Sequence, residues 1–410
     1  MAGGTTWTRS IAGAAVVLAA LVSTAAGAGG PLFIDENGDF LLWSTAQPIA
    51  YRTDGGSLSS QVTGAEAQAR VDGMFDVWQN VASSSIAYQR AGPLLTLAGF
   101  TDGDVNTAAE FNAIEGDCGN GNQSPIVYDV DGSLFEDLGQ DSSVIGFAGP
   151  CAANGAGQIV TGIAVMNGIF QDNVETADNF ELTEQEFDAA FIHEFGHFSG
   201  LDHSQVNVNC LTGGCGLDDL AGLPTMFPFL MSDQQRSLST DDIAWISSLY
   251  PQGGAGGFAA THGRISGVVY FTDGESHAQL VNVIARRVDT GGNQDRRIAA
   301  SSVSGYRFGF IHGNAVTGAQ SNGAGSINPA HIGLFEIPVP AGSYTLEVEG
   351  IHEEFVEGSS VGPGLFIIAL PGEAPPPSAP IAVAVGELED GHDITLIDTP
   401  PRFDDFETAP

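Results

Sequence analysis

The sequence predicts an α+β unit followed by an all-β unit. Three observations carry this reading. Helical periods recur at three places before residue 251, the second and third with caps at their starts, and short β-rich runs bounded by turn residues lie between them. Past a Gly/Ala-rich stretch at 251–263 the chain shows strand patterns and no convincing helix. At 410 residues there is room for two units that each bury a core. A hydrophobic content of 43% excludes a disordered chain.

Residues 1–28 read as a secretory signal. Arg9 gives a positive start, "IAGAAVVLAALVSTA" an apolar run, and "AGA" ending at Ala28 a small-residue cleavage site. The alternative is an uncleaved anchor; the short, Ala-rich run favours cleavage. No later stretch is apolar enough to span a bilayer, so a secreted protein without stable membrane insertion is expected. An N-terminal segment at 29–44 precedes the α+β unit at 45–251.

In that unit "PIAYRT" (48–53) reads as the first strand. Over 64–85, Ala67, Val71, Phe75 and Trp78 recur at helical spacing. "IAYQRA" then reads as extended. A polar, Gly- and Asp-rich region follows, broken by strand-like runs at 124–132, 142–150 and 158–168. Thr183 with Glu186 makes a capping box for a second helix that stops at Gly200. Ser239 caps a third helix that runs to Pro251. A Gly/Ala linker (252–262) leads to a β-sandwich (263–410), whose strands are expected in "RISGVVYFT", "LVNVIARRV", "LFEIPVP", "SYTLEVEGI", "LFIIAL" and "PIAVAV".

Charge and cysteines narrow the function. The formal net charge is −38, and all 12 basic residues are arginine. Such a surface repels phosphate backbones and anionic lipid, so nucleic acid is excluded as a partner. The one basic cluster, Arg286, Arg287, Arg296 and Arg297, is expected to pair internally. Four cysteines in an exported chain suggest two disulfides. Cys210 and Cys215 bracket a short local loop, which leaves Cys118 with Cys151. Asp129 and Asp131 in "YDVDGS" admit two readings: an ordinary Asp-Gly turn, or a structural calcium site. Asp241 and Asp242 are expected to stabilise the start of the third helix.

The chemistry concentrates in "HEFGHFSGLDH", residues 193–203. On a helix, His193 and His197 share a face and can offer two imidazoles to one ion. Gly200 lets the backbone turn with positive φ, bringing His203 in as a third nitrogen. Three neutral imidazoles leave an open position on tetrahedral zinc, where a water becomes nucleophilic near neutral pH. Glu194 stands beside the first histidine, suited to take that water's proton. The five-position match arises by chance on the order of one time in ten thousand or less.

This motif resembles the signature of the metzincin zinc peptidases, H-E-x-x-H-x-x-G-x-x-H with a downstream Met-turn. Ser204 after the third histidine, "PTMFP" at 224–228 and "LSTDDIAWISSLYP" are similar to the matrixin branch, as are "MFDVWQNVASSSIAYQR" and "VIGFAGP". The resemblance implies a twisted mixed sheet with three main helices, one catalytic Zn2+ and a protein or peptide substrate. It implies Met226 as the floor beneath the metal, with Met231 as rival, and Gly146, Phe147 and Ala148 on the strand that pairs with substrate. A monomer is expected. Three departures stand out. The His203–Met226 gap is long and holds the Cys210–Cys215 loop; no histidines are placed for the second, structural zinc of animal matrixins; and no cysteine precedes Cys118, so a cysteine-switch propeptide is absent. Leu230 stands where a tyrosine often follows the Met-turn. The C-terminal half resembles a carboxypeptidase regulatory-like, transthyretin-type sandwich, which implies a binding or spacing module. Two rivals remain open: a non-cleaving adhesion protein on the same scaffold, and a zinc hydrolase acting on a non-peptide amide. The intact Glu194 counts against the first.

Overall fold

The structure, a computed structural model, describes residues 16–17, 30–34, 39–140, 143–175, 180–208, 210, 215–279, 281–305, 328–350 and 374–397. Across them the chain is mixed α and β, with several sheets and few helices. The expected signal lies outside the described residues except for β1 (Val16–Val17), which pairs antiparallel with Ala152–Ala153. Among the described residues no helix is long and apolar enough to cross a membrane.

The first unit is a mixed sheet dressed on both faces. Its strands are β1, β2 (Leu42–Trp43), β3 (Ile49–Thr53), β4 (Tyr88–Pro93), β5 (Pro125–Asp129), β6 (Gly146–Ala153) and β7 (Gln158–Asn167). They lie in the order β1-β6-β7-β5-β3-β4, with β2 against β7. Strand β6 runs antiparallel to β7, whereas β5, β3 and β4 continue in parallel. Parallel strands are buried on both faces, and the alternation in β5 shows it. Ile126 and Tyr128 enter one apolar cluster while Val127 enters the other.

The larger cluster is built by α1 (Gly64–Gln79), α4 (Glu184–Phe198) and α6 (Thr240–Leu249). In α1 the expected positions Ala67, Val71, Phe75 and Trp78 are all buried. Phe75 stacks on Phe195 of α4 with ring centroids 4.1 Å apart, and Trp78 Nε1 donates to the Ile192 carbonyl at 2.8 Å. Arg70 reaches Asp188 at 2.7 Å, a second tie between the two helices. The smaller cluster is formed under α2 (Ala108–Gly116) and α3 (Ser133–Asp137), and it includes the Cys118–Cys151 disulfide. Helix α2 falls in the stretch read as polar and irregular. Its signal was Thr107 with Glu110 three residues on, a cap that the structure uses.

Short helices α5 (Leu217–Leu220) and α7 (Phe258–Thr261) complete the set. The latter lies in the stretch read as a flexible linker: the end of that stretch is wound because Phe258 buries its ring, stacked on His262 with Arg264 over it.

The second unit comprises β8 (His262–Tyr270), β9 (Asn282–Val288), β10 (Gln294–Val303), β11 (Leu334–Pro340), β12 (Gly342–Glu349), β13 (Ile381–Val383), β14 (Leu388–Glu389) and β15 (Ile394–Thr395). One sheet runs β10-β9-β12-β13 and the other β11-β8-β14, with β15 also on β8; together they enclose a single apolar cluster. The expected strand "LFIIAL" lies outside the described residues. Strand β10 was not anticipated, because its first half, "QDRR", has no apolar alternation.

The two units meet at α6. Trp245 Nε1 donates to the Ser301 carbonyl at 2.8 Å, and the Ser301 N–H donates to the Asp241 carboxylate at 2.7 Å. Asp241 therefore does more than favour a helix start: it is buried across the seam. Burial, reinforced by the adjacent Asp242 carboxylate, pushes its carboxyl up to about 7 from an ordinary 3.8. With the folded value raised, the native state keeps a proton that the unfolded chain has lost, so stability falls as pH rises through that window. Asp241→Asn, neutral throughout, lacks this slope. Unfolding by urea from about pH 4 to about pH 7 is expected to show the wild type losing ground to the variant. Parallel slopes would mean that the carboxyl is solvated in the native protein.

Candidate metal centre

Helix α4 supplies two of the three histidines. Thr183 and Glu186 close the expected capping box at its start. Its last carbonyls are satisfied by the surrounding fold: Trp43 Nε1 donates to Phe198 O at 2.8 Å and the Tyr250 hydroxyl to Ser199 O at 2.6 Å. Gly200 then adopts φ +86°, a turn that an L side chain rarely makes. Its carbonyl accepts from Leu32 N at 2.7 Å, so the segment at 30–34 straps the turn from outside. Beyond it, His203 faces back toward the helix.

The three Nε2 atoms converge. His193 and His197 are 3.1 Å apart there, His197 and His203 3.1 Å, His193 and His203 3.2 Å. His193 Nδ1 lies 2.8 Å from the Thr225 carbonyl, and His197 Nδ1 2.8 Å from the Leu201 carbonyl. A carbonyl oxygen only accepts, so both rings carry their proton on Nδ1 and present a lone pair at Nε2. Burial lowers His193 to about 4. Burial, and then the neighbouring His193, lower His197 to about 3. Both are neutral at pH 7. Two lone pairs at this separation repel, and no hydrogen bond joins them. A cation among the three nitrogens converts that repulsion into coordination, and these histidines could hold a metal ion.

Met226 is 2% exposed and packs against α4 at Gly196, whereas its rival Met231 is 42% exposed. The reason sits on α4 between the two histidines. A Cβ on Gly196 would fall 2.2 Å from Met226 Sδ and 2.9 Å from the Trp78 ring, so only glycine admits both neighbours. Asp242 ties the turn down: its carboxylate accepts from Thr225 N at 2.8 Å, Met226 N at 3.0 Å and Ser239 N at 2.7 Å. One acid thus caps α6 and sets the carbonyl that orients His193. Ser204 N donates to Met226 O at 2.8 Å, linking the residue after the third histidine to the same turn. Sequence reasoning had found neither Gly196 nor this role of Asp242.

Glu194, half-buried, stands on α4 next to His193. Burial pushes its carboxyl up to about 8 from 4.5, against the pull of the Ala148 N–H. A nearby cation would favour the ionised form and lower it again. The Ala148 contact brings β6 alongside the site. Gly146 is pressed there as well, since a Cβ would meet the Phe191 ring at 2.5 Å. One side of β6 is taken by β7; on the other, β1 pairs only with Ala152 and Ala153. Among the described strands none covers the outer edge at Gly146, Phe147 and Ala148.

Asp129 accepts from Phe135 N at 2.9 Å and Asp131 from Ser133 N at 3.1 Å, so both carboxylates serve the start of α3. Among the described residues, the one group of three or more His, Cys, Asp or Glu placed to hold a metal is the histidine triad. Cys210 bonds to Cys215, closing the local loop between His203 and Met226. Leu230 is partly buried against the main core.

Gly196→Ala is expected to cost about 1–3 kcal/mol of unfolding free energy by overpacking. It should also weaken metal binding, because Met226 and the α4 backbone must part. Denaturant titration and a metal competition assay read the two effects; unchanged values would show that the gap at Gly196 is slack. No protein-family model matches this sequence, and no curated protein matches it at a significant level, so its chemistry has to be read from the site itself.

Proposed function

We propose that the chain is a secreted, zinc-dependent endopeptidase of metzincin type. The observation that carries the reading is the meeting of three imidazole Nε2 atoms beside the Glu194 carboxyl and a strand edge that no described strand covers. Tetrahedral zinc at 2.0–2.1 Å from each nitrogen asks for nitrogens about 3.3 Å apart, close to the 3.1–3.2 Å found. Three imidazole nitrogens and no thiolate suit this ion, and a three-ligand set leaves a position open for chemistry. Secretion is compatible with the two disulfides.

When bound, the metal supplies a Lewis acid that polarises a carbonyl and acidifies water. The protein supplies the rest. Gly146–Ala148 offer backbone groups that an extended peptide can pair with as an added strand, which aligns a scissile bond over the triad. The Glu194 carboxylate accepts the proton of the attacking water and returns it to the departing amine. Thr225 and Leu201 hold the imidazoles in one tautomer throughout.

Zinc content and chelator-sensitive cleavage of a broad peptide library, measured on wild type and Glu194→Ala, test this. Near-stoichiometric zinc is expected in both, with cleavage reduced about 100- to 10,000-fold in the variant. Zinc without cleavage by the wild type would point to a non-cleaving scaffold. A wild type that takes up no zinc would overturn the reading altogether.

A further inference from the structure

The third imidazole is held differently from the other two. His193 and His197 ride on a packed helix, but His203 opens a long excursion whose described part has little regular structure beyond the four-residue α5. The residues directly after it, Ser204, Gln205 and Val206, are nonetheless fully buried. What buries them comes in part from the second unit. Asn282, at the start of β9, donates from Nδ2 to the Gln205 carbonyl at 2.9 Å. Val206 packs with Ile284 of β9 and Ala299 of β10 as an apolar cluster of its own. The Ser204 hydroxyl and the Ser301 N–H share the Asp241 carboxylate.

The far end of the excursion is gripped by the same strand. Arg296 pairs with Asp219, and Arg297 Nη2 reaches Asp218 at 2.8 Å. A Cβ on Gly222 would lie 2.6 Å from the Arg296 carbonyl, so the two backbones touch. These arginines belong to the one basic cluster of a very acidic chain, and they are spent on this contact. A module tethered only to carry a binding surface would have no reason to clasp both ends of a ligand-bearing loop.

We propose that the β-rich unit is a working part of the metal centre: through Asn282, Ile284, Ala299 and Arg296 it positions the backbone that presents His203. The proposal rests on the reading of the histidine triad as a metal site. Helix α4 alone offers two nitrogens; the third reaches its place only while the loop lies against β9 and β10. An imidazole displaced by about 1 Å no longer completes a tetrahedral set.

The test uses the full chain, with Asn282→Ala, Arg296→Asp, and the charge swap Arg296→Asp/Asp219→Arg. Two readouts are taken: amide hydrogen exchange of residues 204–208 in metal-free protein, and affinity for cobalt(II) with its visible absorption spectrum. Both single variants should quicken exchange at 204–208, weaken cobalt binding about 10- to 100-fold, as loss of outer-shell support does, and alter the spectrum. The charge swap should restore both readouts toward wild type, which a general loss of folding would not allow. Unchanged exchange together with wild-type affinity and spectrum in the single variants would overturn the proposal while the metal site stands. Quickened exchange in a protein whose wild type binds no cobalt would support the clasp and remove the metal reading instead.

Discussion

Three imidazole nitrogens converge on one point, two of them with lone pairs fixed by tautomer, and much of this fold is concerned with keeping them there. Each pair lies 3.1–3.2 Å apart, and His193 and His197, both protonated on Nδ1, have no proton to share between their Nε2 atoms. Two rings are locked by backbone carbonyls, Thr225 from the Met226 turn and Leu201 from the turn at Gly200. Those carbonyls must themselves be immobile. The first is fixed because Asp242 holds the amides of Thr225 and Met226, and the second because Gly200 and Leu201 are strapped by residues 30–34.

Helix α4 is the element everything else references. Its buried face meets Phe75 and Trp78 of α1, its last carbonyls meet Trp43 and Tyr250, and its Gly196 receives Met226. These contacts come from residues far apart in sequence. None is a strong interaction alone; an ordinary hydrogen bond contributes about 1 kcal/mol. Their joint effect is positional, because a helix held on several sides cannot slide by the fraction of an ångström that would spoil a metal geometry.

The same logic extends to the second unit. Its seam with the first combines a buried apolar cluster, backbone-to-side-chain hydrogen bonds and charge pairs, all gathered around the loop after His203 and around α6. Burial of Asp241 there has an energetic cost, offset by the Ser301 amide and the Ser204 hydroxyl. A seam of this make-up is ordered by geometry more than by hydrophobic area.

What the sequence determined by itself was local. Helical spacing put His193 and His197 on one face, Gly200 permitted the turn, and the capping box at Thr183 and the N-cap at Ser239 marked the starts of α4 and α6 within a residue. These are nearest-neighbour effects of backbone conformation, so they are legible in a linear string. The smaller helix α2 was legible too, through Thr107 and Glu110, but its weak apolar period hid it. Tertiary structure alone decided the rest. That Met226 and not Met231 packs against α4 depends on a space at Gly196 thirty positions away. That Asp129 and Asp131 turn to backbone amides depends on α3 starting just beyond them. Strand β10 carries a polar, arginine-rich half that reads as solvated; it pairs with β9, and where that pairing is interrupted Arg296 and Arg297 meet Asp219 and Asp218. Such choices turn on which distant groups arrive to satisfy a charge or fill a gap, and no local pattern encodes that arrival.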